Sequence, residues 1–199
     1  MVNKKSDIID KAVDLILEQG IRLASVDKIA SSCGISKKTF YRYFESKEAM
    51  LMELVLIYCK DVEQFLRLNG ELAPNAMAEM LAYDSFFEKK FRYVLPDVFV
   101  KLRRYYPDVT EIIEYQKKHV LEPFIVQNLD RGIKEGFYKN TIDKQLDAKV
   151  YCYQQEQLLH DVQLKREERH QISRHIAYMF LRSIATQKGE VYLSLRTTE

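Results

Sequence analysis

The stretch Gly34–Met50, GISKKTFYRYFESKEAM, constrains the fold more tightly than any other part of the chain. A glycine just past a helix end takes the positive φ that other residues resist, so Gly34 predicts a tight turn. Ser36 then offers a side-chain oxygen to cap a new helix, and the pattern carries that helix to about Phe44. Phe40 and Phe44 stand four apart and share a face with Ile35, which suits burial. The other face carries Lys37, Lys38, Thr39, Tyr41, Arg42 and Tyr43. These are cations and hydroxyl-bearing groups that match phosphate oxygens and base edges, although a solvated basic helix would carry the same residues. Ser46 caps a further helix with Lys47 in its first turn, where a cation opposes the helix dipole unless an anion sits nearby.

Upstream, Ser6 and Asp7 open a helix whose stripe of Ile9, Ala12, Val13 and Ile16 ends at Gly20. Ser25 caps a short second helix with Val26, Ile29, Ala30 and Cys33 turned inward. Three such helices with Gly34 between the last two form a helix-turn-helix unit. Over the whole chain, six Gly and four Pro in 199 residues leave few turns, so long helices and an all-α class are expected.

A long amphipathic helix runs from Ser46 to a stop at Asn69-Gly70 without a flexible linker, joining a head of residues 1–47 to a larger part, 48–199. Pro74 to Pro107 is rich in aromatics, and Pro96 and Pro107 divide it into two shorter helices. The next helix, Asp108 to about Lys134, carries Pro123 and should kink there. Helices over Asp143–Gln163 and Glu167–Gln187 close the pattern, with the charged LKREERHQ stretch as a solvated turn between them.

The run SVDKIASSCGISKKTFYRYFESKEAM resembles the DNA-binding signature of the tetracycline-repressor (TetR) family of bacterial transcription regulators. The matching elements are Ile29-Ala30, Gly34-Ile35-Ser36, Thr39-Phe40-Tyr41, Phe44 and Ser46-Lys47-Glu48. They span about the first quarter of the chain at fixed spacing, which makes the likeness specific. Lys38 departs from it, since the family often has a small residue there.

The resemblance implies a homodimer on a palindromic double-stranded DNA operator, most simply a repressor, with contacts from Ser25, Lys28, Ser36, Lys37, Lys38, Thr39, Tyr41, Tyr43 and Lys47. It also implies a pocket in the middle region for a small apolar or amphipathic effector, with Phe87, Phe91, Tyr93, Tyr115 and His119 as candidate contacts. An aromatic stripe is otherwise ordinary core. The last two helices repeat apolar residues at three- and four-residue steps, and such faces pack within one chain or between two copies. The resemblance favours two copies, meeting through Tyr153, Leu158, Ile172, Ile176, Met179, Phe180 and Ser183. A helical ligand-binding or protein-interaction module that never meets DNA is the rival, and a helical enzyme without a recognised motif is a weaker third reading.

Net charge is only +2, but nine cations and six anions lie within the first 47 residues, which concentrates the positive excess on the head. Cys33, Cys59 and Cys152 are odd in number and widely spaced, unlike a disulfide framework or a cysteine zinc site. His170 and His175 are five apart, so they do not form the i, i+4 metal pair. HExxH, GxSxG, P-loop and GxGxxG patterns are absent, and no catalytic site, metal or cofactor is expected. No signal-type segment or long apolar run occurs, so a cytoplasmic protein without a membrane span is expected.

Overall fold

The computed structural model describes residues 4–91 and 97–196. The head is α1 (Lys4–Gln19), α2 (Val26–Ser32) and α3 (Lys37–Tyr43), and α4 (Lys47–Leu72) leads out of it. There follow α5 (Ala76–Phe91), α6 (Asp97–Tyr105), α7 (Pro107–Gln116), a π-helical turn at Lys117–Leu121, and α8 (Glu122–Lys134). Then come α9 (Lys144–His160), α10 (Arg166–Ile184) and α11 (Gln187–Arg196). Among the described residues the only β-type pairing is an isolated bridge between Tyr138 and Ala185, so the fold is all-α.

Local chemistry explains the head. Ser25, Ser36 and Ser46 take extended backbone and accept hydrogen bonds from the N–H groups of Lys28, Thr39 and Ala49, each satisfying a donor that the first helical turn leaves open. Gly34, at φ +64, makes the turn between α2 and α3. Phe40 is fully buried and its ring lies 5.5 Å from that of Phe44, itself nearly buried.

Several features differ from the sequence pattern: Ser6 lies inside α1 and does not open it, and α10 begins at Arg166, within the LKREERHQ stretch expected as a turn. The helix α4 passes through Asn69-Gly70, because the Asn69 amide is buried and donates to the Glu79 carbonyl at 2.8 Å instead of ending the helix. At Pro123 the ring removes an N–H and crowds the carbonyl four residues back. The chain answers with the π turn, in which the Glu122 N–H donates to the Lys117 carbonyl. The last predicted helix ends at Ile184, and a further helix, α11, follows it. The break expected at Pro96 lies outside the described residues.

Two cores organise the molecule. One gathers Ile8, Ala12, Ile29 and Phe40 of the head with Met50 and Val55 of α4, and takes in Val98 and Leu102 of α6 and Val109 of α7. The other joins Val62 and Leu66 of α4 to α5, α8, α9, α10 and α11. Helix α4 therefore belongs to both, and α6 and α7 pack with the head although they follow α5 in the chain. In the second core a Cβ on Gly132 would stand 1.9 Å from the Tyr138 ring, so only glycine fits there. The Tyr138 hydroxyl and the Asn128 amide both donate to the Ala76 carbonyl, pinning the start of α5 to α8.

Candidate nucleic-acid interface and internal cavity

The outward face of α3 presents Lys37, Lys38, Tyr41, Arg42 and Tyr43 to solvent, with Thr39 partly covered. Lys37 reaches across to Asp27 of α2 at 3.0 Å, an exposed pair that raises its pKa through the hydrogen bond and the charge of Asp27. Such pairs are weak and salt-screened, so the ammonium remains available to another anion. Lys28 donates to Gln19 at 2.6 Å, and the Ser36 and Thr39 hydroxyls lie 2.9 Å apart. Lys47 departs from the expectation of an outward ammonium. Its Nζ donates to the Ile21 carbonyl and lies 5.8 Å from the centre of the Tyr106 ring, and burial lowers its pKa. It ties the start of α4 to the α1–α2 loop and to the residue that precedes α7.

A cavity of about 190 Å³ lies among α4, α5, α6, α7, α9 and α10. Its apolar walls include Val62, Tyr83, Phe87, Phe99, Ile113 and Leu158. Polar groups are confined to a few clusters. The Ser173 hydroxyl donates to Gln155 Oε1 at 2.9 Å, the Gln155 amide donates to the Tyr151 oxygen at 3.2 Å, and the Tyr151 hydroxyl donates to Asp84 Oδ1. Burial pushes the Asp84 carboxyl up to about 7, against the opposing effect of the Tyr151 hydrogen bond. Lys117 binds Glu114 at 2.6 Å and Glu156 at 2.8 Å, and Glu88 faces His170 at 3.1 Å. Burial pushes the Cys152 thiol up to about 12, which leaves it protonated and a poor redox sensor.

Of the residues expected around an effector, Phe87 lines this cavity. The side chain of Phe91 and all of Tyr93 lie outside the described residues. Tyr115 and His119 sit on the outer surface, their rings stacked at 4.1 Å, with Tyr115 64% exposed. The cause is helical phase: α7 turns Thr110, Ile113 and Gln116 inward, and Tyr115 falls on the opposite side. Sequence reasoning missed Tyr58, Asp84, Tyr151, Gln155 and Ser173. Asp84 and Glu88 did leave a signal, two carboxylates one helical turn apart inside an aromatic run.

Along α9, Leu146, Val150 and Tyr153 form an exposed apolar stripe, and Met179 and Ser183 lie exposed on α10. Tyr153 is 61% and Met179 54% exposed. Ile172 is partly covered, and Ile176 packs in part on the second core. Leu158 and Phe180 do not belong to this outer face. Leu158 lines the cavity, and the Phe180 ring packs 4.5 Å from that of Tyr151. Among the described residues no cluster of His, Cys, Asp and Glu could hold a metal ion, and no helix is long and apolar enough to cross a membrane.

Residues 8–54 match the family model described as "Bacterial regulatory proteins, tetR family". The uncharacterized HTH-type transcriptional regulator YuxN of Bacillus subtilis is 43% identical over 95 residues, 45% of this chain and 33% of that protein. The matches span about a third of the length of such curated relatives. Among solved structures, the fatty acid degradation regulator FadR from Bacillus halodurans superposes with a TM-score of 0.74 at 20% identity, covering 91% of this chain and 96% of that one. FadR from Bacillus subtilis in complex with stearoyl-CoA gives 0.65 at 21% identity, covering 88% and 97%.

Proposed function

The chain belongs to the tetR family of bacterial regulatory proteins, and from that premise we propose that it is a ligand-responsive DNA-binding repressor, acting as a homodimer on a palindromic operator. The observation that carries this reading is the outward face of α3. Lys37, Lys38, Tyr41 and Arg42 project from a seven-residue helix whose other side, through Phe40, is locked in the head core. A reading helix held that rigidly can keep side chains in register with base edges in a major groove. Two copies related by a two-fold axis would present two such helices to successive grooves. The exposed apolar stripe of α9 and the neighbouring face of α10 are the surface proposed to join them, as a four-helix arrangement.

The cavity is the proposed effector site, and α4 is the proposed link. Tyr58, Cys59 and Val62 of α4 line the cavity, while Met50 and Val55 of the same helix lie in the head core. The Gln116 amide donates to the Cys59 carbonyl at 3.3 Å, coupling α7 to the middle of α4. A ligand that fits a different α4–α7 arrangement better than this one would move the head, and only that difference in affinity can shift the equilibrium. The stearoyl-CoA held by the Bacillus subtilis FadR agrees with an amphipathic effector.

Selection of bound fragments from a genomic library, followed by titration of the enriched duplex, tests the reading. We expect an inverted repeat bound by two chains, with affinity falling steeply as salt rises. Equal binding to scrambled duplex, or none, would favour a ligand-binding or protein-interaction module. Glu at both Tyr153 and Met179, which are exposed in the single chain, should give a folded monomer in sedimentation and abolish tight operator binding.

A further inference from the structure

Asp84 carries one of the few buried polar atoms of the cavity that make no hydrogen bond among the described residues. The three hydrogen bonds that lead to it all donate in one direction, Ser173 to Gln155, Gln155 to Tyr151 and Tyr151 to Asp84. A chain so oriented ends on an acceptor and favours the ionised carboxylate, while burial works against it until a cation arrives. Only Oδ1 is served by it. Oδ2 of this cavity-lining residue is buried, and among the described residues it accepts no hydrogen bond.

The other charged groups there lie close to opposite or ionisable partners, although Glu88 Oε1 and His170 Nδ1 make no hydrogen bond. Lys117 is held between Glu114 and Glu156, and Glu88 faces His170. The Tyr83 ring stands 4.7 Å from that of Phe87 and 6.5 Å from that of Tyr151, and all three residues line the cavity. A buried carboxylate oxygen in a cavity lined by aromatic rings calls for a donor that also carries positive charge.

Resting on the reading of this cavity as the effector site, we propose that it selects hydrophobic molecules bearing a protonated amine, whose ammonium donates to Asp84 Oδ2. An alcohol would supply the hydrogen bond but leave the buried charge uncompensated. An ammonium supplies both, and gains further from the neighbouring rings. An anionic ligand would have to displace a carboxylate from Lys117 or engage Arg169, and would meet Asp84 with like charge.

The test uses three molecules of one shape, naphthylethylamine, naphthylethanol and naphthylacetate, titrated calorimetrically into the full chain. The amine should bind about tenfold or more tightly than the alcohol, as expected for a charge-assisted bond in a buried site, and the acetate most weakly. Asp84→Asn should remove the amine's advantage and leave the alcohol unchanged. The ranking in the unaltered protein stands as a test even if that variant folds poorly. Acetate binding best, the amine and the alcohol binding equally, no binding by any of the three, or an undiminished amine in a folded Asp84→Asn protein would each overturn the proposal. Operator affinity measured in parallel separates the two readings. Amine binding through Asp84 with no effect on DNA would refute the effector reading alone. Release of DNA by the acetate or the alcohol, with no preference for the amine, would refute the amine inference alone.

Discussion

The α3 surface and the cavity use the same kinds of residue in opposite ways. On α3, tyrosines and lysines stand in water over a small apolar anchor, and their polar groups are open to a partner. In the cavity, tyrosines and carboxylates are enclosed by apolar walls, and most polar groups are already bonded to one another. An exposed polar group costs little to keep unpaired, whereas a buried one demands a partner. The head surface can therefore be broad and adaptable, while the cavity concentrates its demand at a few buried atoms, Asp84 Oδ2 and the Glu88–His170 pair.

Removing the anchor on which the first region depends should separate the two regions most sharply. Phe40 is fully buried in the head core, and Phe40→Ala should cost about 3–5 kcal/mol there. DNA binding should disappear at temperatures where the second core, built around Leu129 and Leu181, still binds a cavity ligand. Circular dichroism melts paired with ligand titration would show it. Loss of both activities together would mean that α4 transmits the damage and that the two regions do not act separately.

The second largest effect concerns Asp84 and has the opposite sign. Its carboxyl is pushed from 3.8 to about 7 in the folded protein, so between those values the native state holds a proton that the unfolded chain has released. Stability at this site is therefore full below about pH 4 and falls as pH rises toward 7, by at most about 4 kcal/mol. Asp84→Asn escapes that cost. The ligand-free variant should melt above the parent at pH 8, and the margin should shrink as pH falls to 5. A constant margin would show that Asp84 is well solvated and is not the demanding group described here.

The two regions were also unequally legible in the sequence. The head is written locally: Ser25, Ser36 and Ser46 cap within a few residues of what they cap, and Gly34, Phe40 and Phe44 lie within one turn and one short helix. Spacing along the chain was enough to place them. The cavity is assembled from six helices, and membership depends on the phase of each at the point where they meet. One step along α7 separates Gln116, which is buried, from Tyr115, which is exposed. The π turn before Pro123 changes that phase again, and periodicity extrapolated from Asp108 does not anticipate it. Leu158 and Phe180 read as members of an outer stripe for the same reason, since an apolar repeat does not say which of two apolar neighbours it faces.

Smaller effects separate the lysines of the head. Lys37 is exposed and its pair with Asp27 is weak, so it can exchange Asp27 for a base edge. Lys37→Ala should cost on the order of 1–3 kcal/mol at matched operator positions and relax preference there, with thermal stability unchanged. A uniform loss across operator and scrambled duplex would instead make Lys37 a phosphate contact.

Lys47 should give the smallest change in binding and the more informative one. In the free protein its ammonium bonds the Ile21 carbonyl near the Tyr106 ring, and its burial lowers its pKa. A cation at the start of a helix is otherwise unfavourable, so its place is explained by what it joins: the α1–α2 loop, α4 and the turn into α7. If that is its role in the complex too, Lys47→Ala should lower the melting temperature, weaken all duplexes alike by about 1 kcal/mol, and leave the salt dependence unchanged. If the ammonium swings outward to a phosphate, the same substitution should reduce the salt slope by about one unit per chain and leave the free protein's stability nearly intact. Salt titrations and melts of this one variant, read together, decide whether Lys47 belongs with the open groups of α3 or with the paired groups inside.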